Sequence, residues 1–296
     1  MGKKNKMRVE PIMGLMDLVE NRIREVPTLP IIANKVMNLL NNPKSSAADL
    51  EKVIKYDQAL AARVLKLVNS AFYGFPRRIT TIGQGIIILG YNTIKDLVLS
   101  VSIAELFRMK GNNMIFDRVA LWEHSVCTAV GAKLLAEKAS LPLEEEALIA
   151  GLLHDIGILI LDQCLTTEFE EIIFLTNQKR IPMIRAEEKV LGFNHAIVGR
   201  KLAERWNFPP LLVEVLRYHH RPFQNKNYWA TAALVFSADN LAQEAGIGFL
   251  EGYDAEPEFK NKVWEWLGLK IQDKKGILLQ LMEEMAKAEE FINLVS

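Results

Sequence analysis

Cysteine is scarce in this chain of 296 residues: Cys127 and Cys164 are too few for a disulfide framework and fit a reducing compartment such as the cytosol. Net charge is absent as well, with 36 Lys and Arg against 36 Asp and Glu (36 − 36 = 0). A broad grip on nucleic acid or an anionic membrane needs clustered cations, so both are disfavoured as partners and only a local patch stays open. The basic start, Met1 to Arg8, runs into Val9-Glu10-Pro11 and not into an apolar segment, so no export signal is expected. The most apolar stretch, Ala147 to Leu161, falls short of the ~20 residues that cross a bilayer and is interrupted by His154-Asp155. No fixed-period repeat marks a solenoid. A cytoplasmic protein is the expectation.

Half of the residues are hydrophobic, which excludes a disordered chain. The length exceeds that typical of one domain, and two moderate ones are preferred. Nearly every segment carries helical periodicity, so the fold class is read as all-α. Between Pro11 and Pro27, the residues Ile12, Leu15, Met16, Val19, Ile23 and Val26 share one stripe, and Ile31, Ile32, Val36, Leu39 and Leu40 repeat it. Ser46-Ala-Ala-Asp49 and Thr93-Ile-Lys-Asp96 both read as capping boxes opening helices. Asp57 caps the next helix, which Gly74 and Pro76 close off. Gly85 to Leu89 reads as helix in preference to a buried strand. Gly111-Asn112-Asn113 is the polar break where a domain boundary is placed. Nine helical segments follow from Trp122 onward, among them a single helix over 143–162 and a last one over 273–294. The last carries Ile277, Leu278, Leu281, Met282, Met285, Ala288, Phe291 and Ile292 on one face. It docks on its own domain or on a partner; docking on its own domain is preferred.

The chemistry concentrates after the Gly111 break. His154 and Asp155 stand side by side in an apolar helix, and an unpaired buried carboxylate is costly, so Asp155 needs a strong partner such as a divalent cation. The chain has five histidines, His124, His154, His195, His219 and His220, all after the Gly111 break, and a further carboxylate, Asp239, sits on an apolar segment. Imidazoles with carboxylates suit zinc, iron or manganese. Each separation is about one helix plus a connection, so different helices could aim ligands at one centre. The competing readings are a hydrogen-bonded relic pair for His154-Asp155, an exposed helix position for His124, and a first-turn residue after the N-cap Asn194 for His195. His219 and His220 diverge by about 100° on a helix, so one ligand and one phosphate-facing residue are expected unless the helix ends there. Cys127, Cys164 and the tryptophans read as packing residues, and Arg63, Lys66, Arg77 and Arg78 as a solvated face. A nucleic-acid surface over 81–100 is the least favoured reading.

The order His124, His154-Asp155, Asp239 is similar to the motif of the HD metal-dependent phosphohydrolase superfamily, and Gly151-Leu-Leu-His-Asp-Ile-Gly157 resembles its central helix. More narrowly, the run from Asp57 to Gly74, with Val26-Pro-Thr-Leu-Pro30, Ile79 to Gly90 and Asn194 to Pro209, resembles the HDOD family, the HD-related output domains of bacterial signalling. The resemblance implies an N-terminal helical subdomain packed on an HD-like helical subdomain. The expected division is an N-terminal segment 1–20, an HDOD helical subdomain 21–111, a metal-site subdomain 112–250 and a helical extension 251–296. It implies that His124, His154, Asp155 and Asp239 hold one Fe, Mn or Zn ion, and that Asp155 is able to bridge to a second held by His195 with one or both of His219 and His220. It also implies a regulatory output protein acting on a signalling partner. The alternative is an active phosphohydrolase or phosphodiesterase on a nucleotide-type ester, in which a metal-activated water attacks phosphorus and Arg221 or Lys226 holds phosphate. A nucleotide or cyclic dinucleotide is the ligand class. Two departures weigh against activity: Ile158 stands where active members carry lysine, and no Gly-Tyr-Pro element follows the paired histidines.

Overall fold

Helix ends in this protein are set by identifiable side chains. The computed structural model describes residues 12–25, 35–36, 39, 44–108, 116–248 and 257–295, and no strand occurs among them. Helix α1 (Ile12–Glu25) buries Val19 and Ile23 of its apolar stripe. Helix α2 (Ala47–Lys55) starts at the expected capping box: Ser46 Oγ accepts from the Asp49 amide at 3.3 Å, and the Asp49 carboxylate accepts from the Ser46 amide at 3.0 Å. Asp57 caps α3 (Gln58–Val68) by accepting from the Leu60 amide. The Gly85 to Leu89 run is helical, within α4 (Ile82–Leu89).

The second capping box does not form. Helix α5 spans Tyr91–Arg108, so Thr93 lies inside it, its hydroxyl donating to the Leu89 carbonyl at 2.9 Å, while Asp96 is buried. Gly90, at φ 90°, makes the turn between α4 and α5 that a capping residue would otherwise make. Val26 to Pro30, most of Ile31 to Leu40, and Gly111-Asn112-Asn113 lie outside the described residues.

Asp117 caps α6 (Arg118–Lys138), four residues before the Trp122 start that periodicity suggests. The single helix expected over 143–162 is two, α7 (Glu144–Leu153) and α8 (Ile156–Cys164), separated by a turn at His154-Asp155. Consecutive side chains on a continuous helix diverge by about 100°, whereas this turn lets both face one point. The stretch Glu144–Cys164 has the length and hydropathy of a membrane span, yet 89% of its apolar 18-residue core is buried inside the fold. Helices α9 (Thr166–Lys179), α10 (Met183–Leu191), α11 (His195–Arg205), α12 (Pro210–Tyr218) and α13 (Trp229–Glu244) follow, with one 3-10 turn at Pro222–Gln224.

Then come α14 (Pro257–Trp266), α15 (Lys274–Lys287) and α16 (Glu289–Ile292), so the expected last helix is broken at Ala288. Of its eight-residue stripe, Ile277, Leu281, Met285, Ala288 and Phe291 are buried, Leu278 and Ile292 are half-buried and Met282 is 43% exposed, and Trp122 Nε1 donates to the Phe291 carbonyl at 2.9 Å. The terminal stripe therefore docks within the chain. At the centre, α7 and α13 flank α6, while α8, α11 and α12 form the adjoining wall. Helices α3 and α4 pack on α5, which in turn meets α6 and α7, and buried apolar residues run continuously through all of these.

Candidate metal centre

Five elements converge on the His154-Asp155 turn: α6 with His124, the turn itself, α11 with His195, the end of α12 with His219 and His220, and α13 with Asp239. Close backbone approach makes this convergence possible. A Cβ on Gly151 would lie 2.7 Å from Ala129 Cα of α6, and one on Gly157 would lie 2.1 Å from the His195 carbonyl oxygen. Only glycine permits these contacts.

The carboxylate of Asp155 divides the ligands into two sets. His124, His154 and Asp155 form one, and Asp155, His195, His219 and His220 form the other, the candidate ligand atoms within each set lying within 4.8 Å of one another. Asp155 Oδ2 is 3.1 Å from His154 Nε2 and 3.8 Å from His124 Nε2, while Oδ1 is 3.1 Å from His195 Nε2 and 3.5 Å from His219 Nε2. Asp239 Oδ1 lies 3.2 Å from His124 Nε2, at the edge of the first set. Because α12 stops at Tyr218, the two rings of His219 and His220 lie 4.0 Å apart between centroids, tilted by 45°, and both reach the second set. The condition for both to approach one centre is met.

Hydrogen bonding fixes what these rings offer. Nδ1 of His124 faces the Ile247 carbonyl at 2.9 Å, that of His154 the Gly151 carbonyl at 2.7 Å, and that of His219 the Leu216 carbonyl at 2.8 Å. A carbonyl only accepts, so each Nδ1 donates its proton and Nε2 is the nitrogen left to face inward as a ligand. His195 Nδ1 donates to Glu187 at 2.7 Å, and its Nε2 stands 2.9 Å from His220 Nε2. Lone pairs facing lone pairs and carboxylate oxygens repel unless a cation lies among them. Ligand atoms about 2.1 Å from one ion sit roughly 3.0–3.4 Å apart, close to the separations above, so the donor set fits a divalent transition metal.

Without a cation, protons carry that charge. Although burial opposes it, the imidazoles of His154 and His195 hold Asp155 well below the usual carboxylate range. Burial is likewise outweighed at His195, which Glu187 and Asp155 raise to about 10, and at His124, which the hydrogen bond to Asp239 raises. Burial pushes His219 and His220 down, so these two stay neutral. Metal uptake must therefore expel protons from this centre.

Glu187 is the residue that sequence reasoning missed. It is fully buried on α10 and accepts from both the amide and the ring of His195. Its signal was a carboxylate on the buried stripe of Met183, Ala186 and Leu191. Glu187→Gln keeps an acceptor but removes the charge that makes His195 a strong donor. It should lower metal affinity about tenfold with the fold intact, measured by chelator competition. A second buried pair, Arg118 Nε donating to Asp162 Oδ2 at 2.9 Å, ties α6 to α8. Arg221 is exposed and paired with Glu188 at 3.1 Å, and Lys226 is exposed, so neither is among the converging ligands. Cys127 is buried, and burial with nearby Asp239 pushes its thiol up to about 12, as expected of a packing residue.

Fold and site together define an all-helical protein with a buried imidazole and carboxylate centre of metal-binding type. The HDOD domain family profile matches residues 26–222, and the chain belongs to that family. Its structure is similar to that of an HDOD domain protein of unknown function from Geobacter sulfurreducens. Sequence identity is 28%, TM-score 0.77, and the match covers 95% of this chain and 99% of that one. It shares the fold of a candidate phosphohydrolase from Shewanella amazonensis SB2B, at 23% identity and TM-score 0.74 over 94% and 98% of the two chains. A Treponema pallidum (strain Nichols) protein of uncharacterised function is 24% identical over 274 residues, 92% of this chain. The chain spans about half of that relative, 52% of its length, and 32% of YuxH from Bacillus subtilis (strain 168).

Proposed function

We propose that the chain is a regulatory HDOD module of bacterial signalling, built around a buried divalent-metal centre and acting through altered contacts with a protein partner. Burial is the observation that carries this: His124, His154, Asp155, His195, His219 and Asp239 are each 0–5% exposed. Closed sites of this kind cross-link a fold, whereas catalytic metal sites keep a position open to substrate. The ligands belong to five different elements, so gain or loss of Fe, Mn or Zn would alter how those helices cross. Bound there, the metal supplies Lewis acidity and a strong cross-link. On the outer surface, Ile87 and Ile88 of α4 are 85% and 50% exposed, an apolar pair that suits a partner contact.

One observation favours a phosphohydrolase acting on a nucleotide-type ester or cyclic dinucleotide: His220 is only half-buried and adjoins exposed Arg221, so the second set opens on that side. Metal analysis of native protein purified anaerobically without chelator, followed by assay on a generic phosphodiester and a cyclic dinucleotide, separates the two. The expected result is bound metal that raises the melting temperature, with no turnover. Turnover that Asp155→Ala abolishes would establish the enzyme instead, and absence of metal would overturn both.

A further inference from the structure

Away from the metal centre, a cavity of about 250 Å³ opens where α5, the first turns of α7 and the start of α12 meet. Its walls are apolar at Leu99, Ile149 and Leu212, and its charged groups are Lys95 and Asp96 from α5 with Glu145 and Glu146 from α7. Asp96 is 6% exposed, and the cation facing it, Lys95 Nζ, stands 3.7 Å from its Oδ1, beyond hydrogen-bond length. That ammonium donates to Asn92 Oδ1 at 3.3 Å instead. Glu145 Oε1 lies 3.2 Å from the Thr93 hydroxyl, which gives its proton to the nearer Leu89 carbonyl, and the half-buried Tyr73 phenol close by is pushed up by burial and by the Asp96 and Glu145 carboxylates. Three carboxylates and one ammonium thus line a hole with partly apolar walls.

We propose that this cavity binds a small aliphatic cation, an alkylammonium or alkylguanidinium group, with Asp96 as its buried anionic partner and Glu145 as a second acceptor. The apolar walls take the alkyl chain, and a nitrogen with several donors satisfies the oxygens that Lys95 does not reach. In the absence of such a ligand a proton takes its place: burial, reinforced by Glu145 and Glu146 and opposed by Lys95, raises Asp96 to about 8. A bound cation favours the ionised form, so below that pH binding must release a proton and tighten as pH rises. An alkylammonium stays charged over this range, its own pKa being about 10.4.

The experiment is calorimetric titration of the full chain with n-butylammonium and n-butylguanidinium, in two buffers of different ionisation enthalpy. The same titration with a short blocked peptide carrying one central lysine shows whether the cation arrives free or on a polypeptide side chain. Saturable binding with a Kd of about 1 mM is expected, a value a ligand of this size can reach. Proton release at pH 7 and affinity rising from pH 6 to 8 should accompany it. Asp96→Asn should weaken binding by about tenfold or more and abolish the proton release, and Glu145→Gln should weaken it about threefold. If Asp96→Asn fails to fold, the Glu145→Gln affinity and the wild-type proton release decide. No saturable binding up to about 50 mM, well above that Kd, or variants that bind as tightly as wild type, overturns the proposal.

Discussion

Asp155→Asn is expected to empty the metal centre, lowering affinity more than about 100-fold, beyond the 10–100-fold that losing an outer partner costs. The reason is position: Asp155 contributes one oxygen to each ligand set, Oδ2 toward His154 and Oδ1 toward His195. Asn keeps the shape and offers one oxygen, but it removes the negative charge between the rings and turns an amide donor toward one set. Single imidazole losses should be graded. His220→Ala touches only the second set and His124→Ala only the first, so each should lower the metal-to-protein ratio while leaving metal in the other set. Elemental analysis after matched purification measures this, and undiminished metal in Asp155→Asn would remove the basis for the proposed centre. For every variant that still binds, affinity should fall as pH falls, because His195 and His124 hold protons that metal must displace.

The clustered histidines and carboxylates were legible because they violate their surroundings. An imidazole and a carboxylate inside the apolar run around residue 154 have no packing rationale, and Asp239 violates a core helix in the same way. Glu187 breaks its stripe too, but as one carboxylate on a short amphipathic helix it resembles an ordinary surface residue; only the fold shows His195 beside it. The capping motifs show the limit of local pattern. Ser46 and Asp49 cap because the turn before them starts the helix there, whereas Thr93 and Asp96, with the same spacing, are overridden by the turn that Gly90 makes three residues before Thr93. The break at His154-Asp155 is invisible to periodicity since apolar residues continue on both sides; it follows from which helices α7 and α8 must each approach.

Gly157→Ala is expected to destabilise the protein by about 3 kcal/mol or more, a large fraction of the roughly 5–15 kcal/mol that typically holds a fold together. Its added methyl would lie 2.1 Å from the His195 carbonyl oxygen and 2.8 Å from the Gly199 amide nitrogen. Both are backbone atoms, so no side-chain rotation relieves the clash, and α8 and α11 must move apart. His195 sits at the first turn of α11 and carries the obstructing carbonyl, so that separation draws its ring from Asp155 as well. Loss of stability and loss of metal should therefore appear together, in denaturant unfolding and in metal analysis. Two other glycines calibrate the effect. Gly199→Ala, at the same crossing, meets the Gly157 nitrogen at an ordinary 3.5 Å and should cost far less, while Gly276→Ala, exposed in α15 with no atom within 4 Å, should stabilise by about 0.5–1 kcal/mol. Equal unfolding midpoints for Gly157→Ala and Gly276→Ala would mean that α8 and α11 cross less closely than described. The support of His195 would then have to come from Glu187 alone.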